Sequence, residues 1–217
     1  MEQINYNLLR NLDEKYGSPF YIMDSDKYRF NLNSFLNAFR KRYEKVIAGY
    51  SFKTNYVPAL CKIALDEGCF AEVVSEMEYE LARKIGFTNV IFNGPIKRPH
   101  ILKKALEQGA IINLDSEYEV DFVCRYKQQN PLQNVRVGMR ININLTDENG
   151  NSTIQCGLRF GRFGFPDNIV EKNINRLCKA GIKIISLHGH TSTSDRAVLN
   201  YKIITQHMLA VCEKYQL

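Results

Sequence analysis

Lys53, Glu72, Arg140, His188 and His190 are the residues of this chain whose types and settings can do chemistry together. Each ends or closely follows a short apolar run: "VIAGYSF" leads into Lys53, "FAEVVS" carries Glu72 and Ser75, "VRVGM" leads into Arg140, and "IISLHGH" ends in both histidines. A lysine in a partly desolvated pocket has a depressed pKa and becomes a nucleophilic amine, which is what a Schiff base requires. A carboxylate such as Glu72 would hold the charge and orientation of that imine. His188 and His190 are two apart on a strand, so their side chains share one face, with His188 one pleat deeper. An imidazole there can lie flat against an aromatic ring. Hydroxyls at Ser192, Thr193 and Ser194 can bind phosphate oxygens. Singly, each has an ordinary explanation, Lys53 as a surface lysine at an element boundary. The set acquires meaning only if the elements bring it to one cavity.

Those elements alternate. Period-two, β-rich runs are "KVIAGYSF", "FAEVVS", "NVIFNG", "AIINL", "VRVGMRINI" and "IKIISLHGH". Between them lie helical patterns: "VPALCKIALDEG", "EMEYELARKIG", "RPHILKKALEQG", "SEYEVDFVCRYKQ" and "PDNIVEKNINRLCKAG". Gly68, Gly86, Gly109 and Gly181 suit helix C-termini, and Ser75 and Ser116 suit N-caps. Strict alternation implies a parallel sheet covered by helices. The first strand runs into "KTNYVP" rather than a phosphate-binding glycine pattern, which argues against an open doubly wound sheet. Polar residues gather instead at strand C-terminal ends (Lys53, Ser75, Asn93, Asp115, Arg140, His188, His190), the face where (β/α)8 barrels keep their chemistry. A closed barrel needs eight strands on about 250 residues; six are legible, so the barrel is expected to be incomplete. Residues 1–25, with "GSPFYIMD" as a strand pairing with a missing domain or a barrel edge, precede a long helix at 26–42. Residues 26–217 form the partial barrel.

A hydrophobic content of 45% and a charged content of 24% are ordinary for a globular domain with a real core. No apolar run is long enough for a transmembrane helix, and the charged start lacks a secretory signal's apolar centre, so the cytoplasm is the expected location and no membrane partner is expected. The six cysteines are scattered without a C-x-x-C pair, which reads as small buried hydrophobes. The net charge of +6 is densest in "FRKRYEK", within an amphipathic helix pattern. That reads as a solvated helix face rather than a nucleic-acid patch.

In family order over nearly the whole chain, these motifs resemble the fold-type III, pyridoxal-phosphate-dependent amino-acid decarboxylases: diaminopimelate decarboxylase and its ornithine and arginine relatives. "YSFKTN" is similar to their lysine motif Y-A-x-K-A-N, "FAEVVSEMEYELARKIG" to F-D-V-V-S-x-x-E-L, "RFGRFGF" to S-K-F-G, and "SLHGHTSTSD" to H-x-H-x-G-S. "GSPFYIMDSDKYRFN", "VIFNGPIK" and "INLDSEYEVDFV" resemble further stretches of the same family. The resemblance implies an alanine racemase-like barrel that binds pyridoxal 5′-phosphate. Lys53 would bond to the cofactor and His190 would stack on its ring. Glu72 takes the place of an aspartate near the lysine, and Arg140 matches the arginine ending the fifth strand. Thr193, with Ser192 before it, falls where a serine contacts the phosphate. Glu78 matches a glutamate of structural or gating role.

The sequence departs from the pattern at Ser51 and Thr54 beside the lysine, at Glu72, and at Ser192–Thr193, which stand for Gly-Ser. The family's glycine-rich phosphate loop, the acidic partner of the pyridine nitrogen and the C-terminal β-domain, through which a homodimer forms, have no counterpart here. An amino-terminal portion of a decarboxylase of a basic or diamino acid is therefore the leading expectation, without activity of its own. The alternative is a non-catalytic, pyridoxal-phosphate-binding barrel of the cofactor-homeostasis kind. Reading "HGH" as a metal pair would need more ligands, and only His100 and His207 remain, both in helical segments, so no metal site is expected.

Overall fold

The computed structural model describes residues 4–143, 145, 162–190 and 198–217. Ser192, Thr193 and Ser194 lie outside the described residues. The elements are α1 (Tyr6–Tyr16), α2 (Ser25–Arg40), β1 (Gly49–Ser51), α3 (Pro58–Asp66), β2 (Phe70–Val73), α4 (Glu76–Ile85), β3 (Val90–Phe92), α5 (Pro99–Glu107), β4 (Ile111–Leu114), α6 (Glu117–Gln129), β5 (Arg136–Arg140), α7 (Asp167–Lys179), β6 (Lys183–His188) and α8 (Val198–Tyr215). The six strands form one parallel sheet in the order β1-β2-β3-β4-β5-β6. Every crossover from β1 to β4 carries one helix, and α6 and α7 serve β4–β5 and β5–β6. The six-stranded α/β barrel portion read from the alternation is the observed architecture.

The period of two explains how the sheet is covered. Ala71 and Val73, Ile112 and Leu114, and Val137 and Met139 alternate with polar neighbours and are buried. They join Ala64, Tyr79, Ala82, Leu102, Ala105, Val120, Val123, Ile174 and Leu177 of the helices in one core cluster. The intervening strand positions, among them Glu72, Asn113, Gly138 and Ser186, face the other way, into the barrel. Two helices start with the same chemistry. Ser75 caps α4 by accepting from the Glu78 N–H at 3.3 Å, and the Glu78 carboxylate reaches back to the Val74 N–H at 2.8 Å. Before α6 the Asp115 N–H donates to Glu119 at 2.8 Å, but the Ser116 side chain makes no cap bond. Glu119 takes that work over. Gly68, Gly86, Gly109 and Gly181 all have positive φ past their helices, as expected of C-terminal glycines.

The N-terminal segment differs from expectation. "GSPFYIMD" forms no strand, because no described strand runs beside it to take its ladder hydrogen bonds. Tyr21, Ile22 and Met23 are exposed, and Asp24 caps α2 through the Lys27 N–H at 2.8 Å. The helix α1 has no counterpart in the sequence reading; Asn5 caps it through the Leu8 N–H, and it buries no residue. "FRKRYEK" is solvated throughout, but only Phe39 and Arg40 are helical; the rest follows the end of α2. Of the five described cysteines, all free, only Cys61 and Cys69 are buried. No described helix is long and apolar enough to cross a membrane.

The loops at the strand C-termini are held by close backbone approach. Gly94, after β3, has φ +93°, and a Cβ there would overlap the Val74 carbonyl oxygen after β2. Gly94→Ala should therefore cost at least about 1–3 kcal/mol from the left-handed backbone alone. A lower urea midpoint at unchanged m-value would show it.

Candidate active site

The side chains expected to act together converge on the C-terminal mouth of the barrel. Arg140 ends β5 and His188 ends β6, paired across the two strands. The Ile141 N–H donates to the His188 carbonyl at 2.9 Å, which continues the ladder toward His190. The rings of His188 and His190 have centroids 6.4 Å apart. The pKa of His190 is lowered by partial enclosure, then by the positive charges of Arg140 and Lys53, with the Glu72 carboxylate opposing them. One imidazole thus senses groups from β2, β5 and the segment after β1. Glu72 is half-buried and accepts from Asn93 Nδ2 at 2.8 Å.

Lys53 departs from its expected setting. It does not close β1, which ends at Ser51; Phe52 still donates to the Glu72 carbonyl, and the chain then turns as the Thr54 and Asn55 N–H groups both donate to the Ser51 carbonyl. That turn lifts Lys53 into solvent. The described residues supply an exposed amine at the mouth, not the desolvated pocket the sequence suggested. Glu78 is buried at the start of α4, where its carboxylate accepts from the Val74 N–H.

Arg140 is held from three sides. Its Nη1 donates to Asp115 Oδ2 at 3.0 Å, and the Gly164 N–H occupies Asp115 Oδ1 at 2.9 Å. Its guanidinium lies 4.8 Å from the Phe163 ring centroid, with that of Arg162 4.9 Å from the same ring. Gly164 has φ +74°, and a Cβ there would approach the Arg140 carbonyl oxygen at 2.8 Å. The second half of "RFGRFGF" is therefore a clasp over the arginine, completed where Phe165 bridges to Ile141.

Beneath Asp115 lies a pair that the sequence reading did not place in the site. Lys97 and Glu119 are fully buried, with Nζ 3.2 and 3.1 Å from the two carboxylate oxygens. Nζ also donates to the carbonyls of Gly94 at 2.8 Å and Asn113 at 2.9 Å, which saturates an ammonium. Glu119 further accepts from the Lys97 N–H at 3.1 Å and the Asp115 N–H. Burial pushes the Lys97 pKa down and the Glu119 pKa up, and each partner opposes the other's shift. The complete hydrogen bonding is that of an ion pair whose attraction offsets its desolvation. Lys97→Met should destabilise by about 3–5 kcal/mol, because it strands a buried carboxylate. Lys97→Met/Glu119→Gln should recover part of that loss in urea unfolding, whereas additive losses would contradict it.

His188 lies deeper than His190, as expected, and its Nδ1 is buried without a hydrogen-bond partner. Its pKa is pushed down to about 4, first by burial, then by Arg140, His190 and Lys97, against Asp115. Between the ordinary value of 6.5 and about 4, the unfolded chain takes up a proton that the folded chain does not. Stability should therefore fall as pH drops through that window, by on the order of 3 kcal/mol. His188→Asn should flatten that portion of the pH–stability curve in urea titrations between pH 7 and 4.

Comparison with known proteins fits this geometry. Residues 30–216 match the family described as "Pyridoxal-dependent decarboxylase, pyridoxal binding domain". Diaminopimelate decarboxylase of Methanocaldococcus jannaschii is 26% identical over 189 residues, covering 82% of this chain and 43% of that protein. The L-glutamyl-[BtrI acyl-carrier protein] decarboxylase of Niallia circulans is 27% identical, over 85% of this chain and 42% of its own length. A crystal structure of the M. jannaschii enzyme with L-lysine has the same fold, with a TM-score of 0.82 at 22% identity, over 95% of this chain and 50% of that one. The chain thus spans under half the length of these curated relatives. A lysine, a carboxylate, an arginine and two histidines at one barrel mouth, in a sequence that fits the family along 187 residues, place the chain among the pyridoxal-dependent decarboxylases, as their pyridoxal-binding domain.

Proposed function

We propose that the chain is the cofactor-binding part of a decarboxylase that acts on a free basic or diamino acid, most closely a diaminopimelate decarboxylase, with pyridoxal 5′-phosphate as cofactor. The observation that carries this is the match of residues 30–216 to the pyridoxal-binding domain, with Arg140 set opposite His188 at the ends of β5 and β6. The donor set fits the cofactor. Lys53 offers an accessible primary amine to an aldehyde, and Arg140 offers a fixed cation to an anionic group. His190 carries an imidazole whose lowered pKa keeps it neutral, able to lie against a pyridine face. The buried Nδ1 of His188 leaves one further polar group free beneath them.

Pyridoxal phosphate, when bound, supplies an electron sink for the pair left on the substrate Cα as CO₂ departs. The protein's own groups prepare that site. Lys53 would hold the cofactor through its primary amine. Glu72 would set a negative charge near the lysine, and His190 would shield the cofactor from water. Arg140, anchored by Asp115, fixes the anionic end, with Ser192 and Thr193 proposed as additional phosphate contacts. The proposal includes residues 1–25 as a segment that pairs outside this barrel, a homodimer that completes the site, and a cytoplasmic location.

The test uses the full chain incubated with pyridoxal phosphate, reduced with borohydride and digested for mass spectrometry. The label should fall on Lys53, and Lys53→Ala should abolish it, while this chain alone should release no CO₂ from diaminopimelate, ornithine, lysine or arginine. A label on Lys62 or Lys97 would overturn the assignment. Labelling of Lys53 without turnover by this chain alone agrees with the proposal; labelling without turnover in an assembled homodimer with a completed site would favour a non-catalytic cofactor-binding barrel.

A further inference from the structure

The face of the sheet that lines the barrel carries an unbroken file of polar side chains. Ser186 Oγ on β6 donates to Asn113 Oδ1 on β4 at 2.8 Å. Asn113 Nδ2 donates to Asn93 Oδ1, just after β3, at 2.7 Å. Asn93 Nδ2 then donates to Glu72 Oε1 on β2 at 2.8 Å. Asn93 and Asn113 are both buried. Their amide orientations follow from the charged end. An ionised carboxylate can only accept, so Asn93 must turn its NH₂ to Glu72 and its oxygen to Asn113. Asn113 must then offer its own NH₂ and turn its oxygen to Ser186, which is left to donate. All three donors point toward Glu72, and bonds aligned in this way polarise one another.

Gly138 makes the file possible. It pairs with Ser186 across a register shift between Val137 and Gly138, which puts it between Asn113 and Ser186. A Cβ at this position would overlap both Asn113 Oδ1 and Ser186 Oγ. Any other residue type would cut the link across β5. The glycine has an ordinary strand backbone, with φ outside the positive range, so room for this hydrogen bond is what its missing side chain supplies.

We infer that Asn93, Asn113 and Ser186 are positioning residues that act as a one-way hydrogen-bond relay fixing the Glu72 carboxylate at the barrel mouth, with Gly138 holding the gap the relay crosses. The relay starts on β6, close in sequence to His188 and His190, and ends on the carboxylate whose charge opposes Arg140 and Lys53 at His190. It therefore couples the two sides of the mouth through the interior. The inference rests on the proposed function in one respect: Glu72 is taken to work beside bound pyridoxal phosphate.

The test is a double-mutant cycle on the full chain, read as pyridoxal phosphate affinity and, separately, as urea stability. Glu72→Gln, which keeps an acceptor for Asn93 but removes the charge, should weaken cofactor binding by about tenfold or more. Ser186→Ala, three hydrogen bonds away from Glu72, should weaken it by about threefold, and Ser186→Thr, which restores the hydroxyl, should recover it. In the Glu72→Gln background, Ser186→Ala should have no further effect on affinity. Equal losses in both backgrounds, or no loss from Ser186→Ala in a folded protein, would overturn the relay. Asn113→Leu provides a second cycle with the same expectation, should Ser186→Ala fail to fold. Retention of the cofactor by Lys53→Ala would instead count against the proposed function, and that outcome is separable because it does not depend on the relay.

Discussion

A fully buried carboxylate must be met by donors on every side, and the mouth of this barrel is arranged around one. Glu119 draws the Lys97 ammonium, the Lys97 N–H and the Asp115 N–H onto a single group. Lys97 in turn ties the Gly94 and Asn113 carbonyls to the same point. The segments after β3 and β4 therefore cannot shift independently. Leaving either charge unpaired would cost several kcal/mol, a large share of the stability of a typical domain. Asp115 inherits its position from this constraint and passes it to Arg140 and to the Gly164 backbone. The arginine that points at the site is thus located by an ion pair one layer below it.

The same helix-entry device occurs twice in the chain, with different electrostatic demands. "SEME" before α4 and "SEYE" before α6 each place a glutamate at the third helical position, reaching back to a backbone N–H before the serine. This resembles a capping box shifted by one residue. At α4 the Glu78 charge meets its own helix N-terminus, where such a carboxylate is favoured by roughly 0.3–1 kcal/mol. At α6 the carboxylate is sealed completely, at 0% exposure against 6% for the buried Glu78, and a helix terminus alone would not offset its desolvation. That difference explains why the second copy recruits Lys97 from the loop between β3 and α5.

The legible part of the fold was the part governed by periodicity. Six strands and the helices between them follow from alternation and from glycines at helix ends, because burial of one face dictates both. Lys53, Glu72, Arg140 and the two histidines were also legible, since charged groups at strand ends stand out against apolar runs. What was not legible depends on partners distant in sequence. Lys97 went unremarked because nothing local reveals that Glu119, 22 residues away, will be buried against it. Asn113 inside "IINL" was a visible signal, a polar residue on a strand otherwise buried, but its partners come from β3 and β6. The exposure of Lys53 followed from a turn after Ser51 that strand propensity does not encode. The N-terminal strand was expected to pair outside this barrel or at its edge, and no described strand runs beside it.

The topology and the site together require a rolled sheet. β1 and β6 stand at opposite ends of the strand order, yet the charge of Lys53, just beyond β1, acts on His190, just beyond β6. In a flat sheet β4 and β6 would be two strand spacings apart, about 9.5 Å. The side chains of Asn113 and Ser186 are too short to close that distance comfortably, yet they meet at 2.8 Å. Inward curvature converges the side chains of the concave face and brings the pair into contact, and the bare backbone at Gly138 lets the hydrogen bond pass over β5. Curvature, the register shift beside Gly138 and the glycine itself are then three aspects of one solution. A polar interior can direct its donors to a carboxylate at the rim only if the sheet curves enough for alternate strands to touch across it.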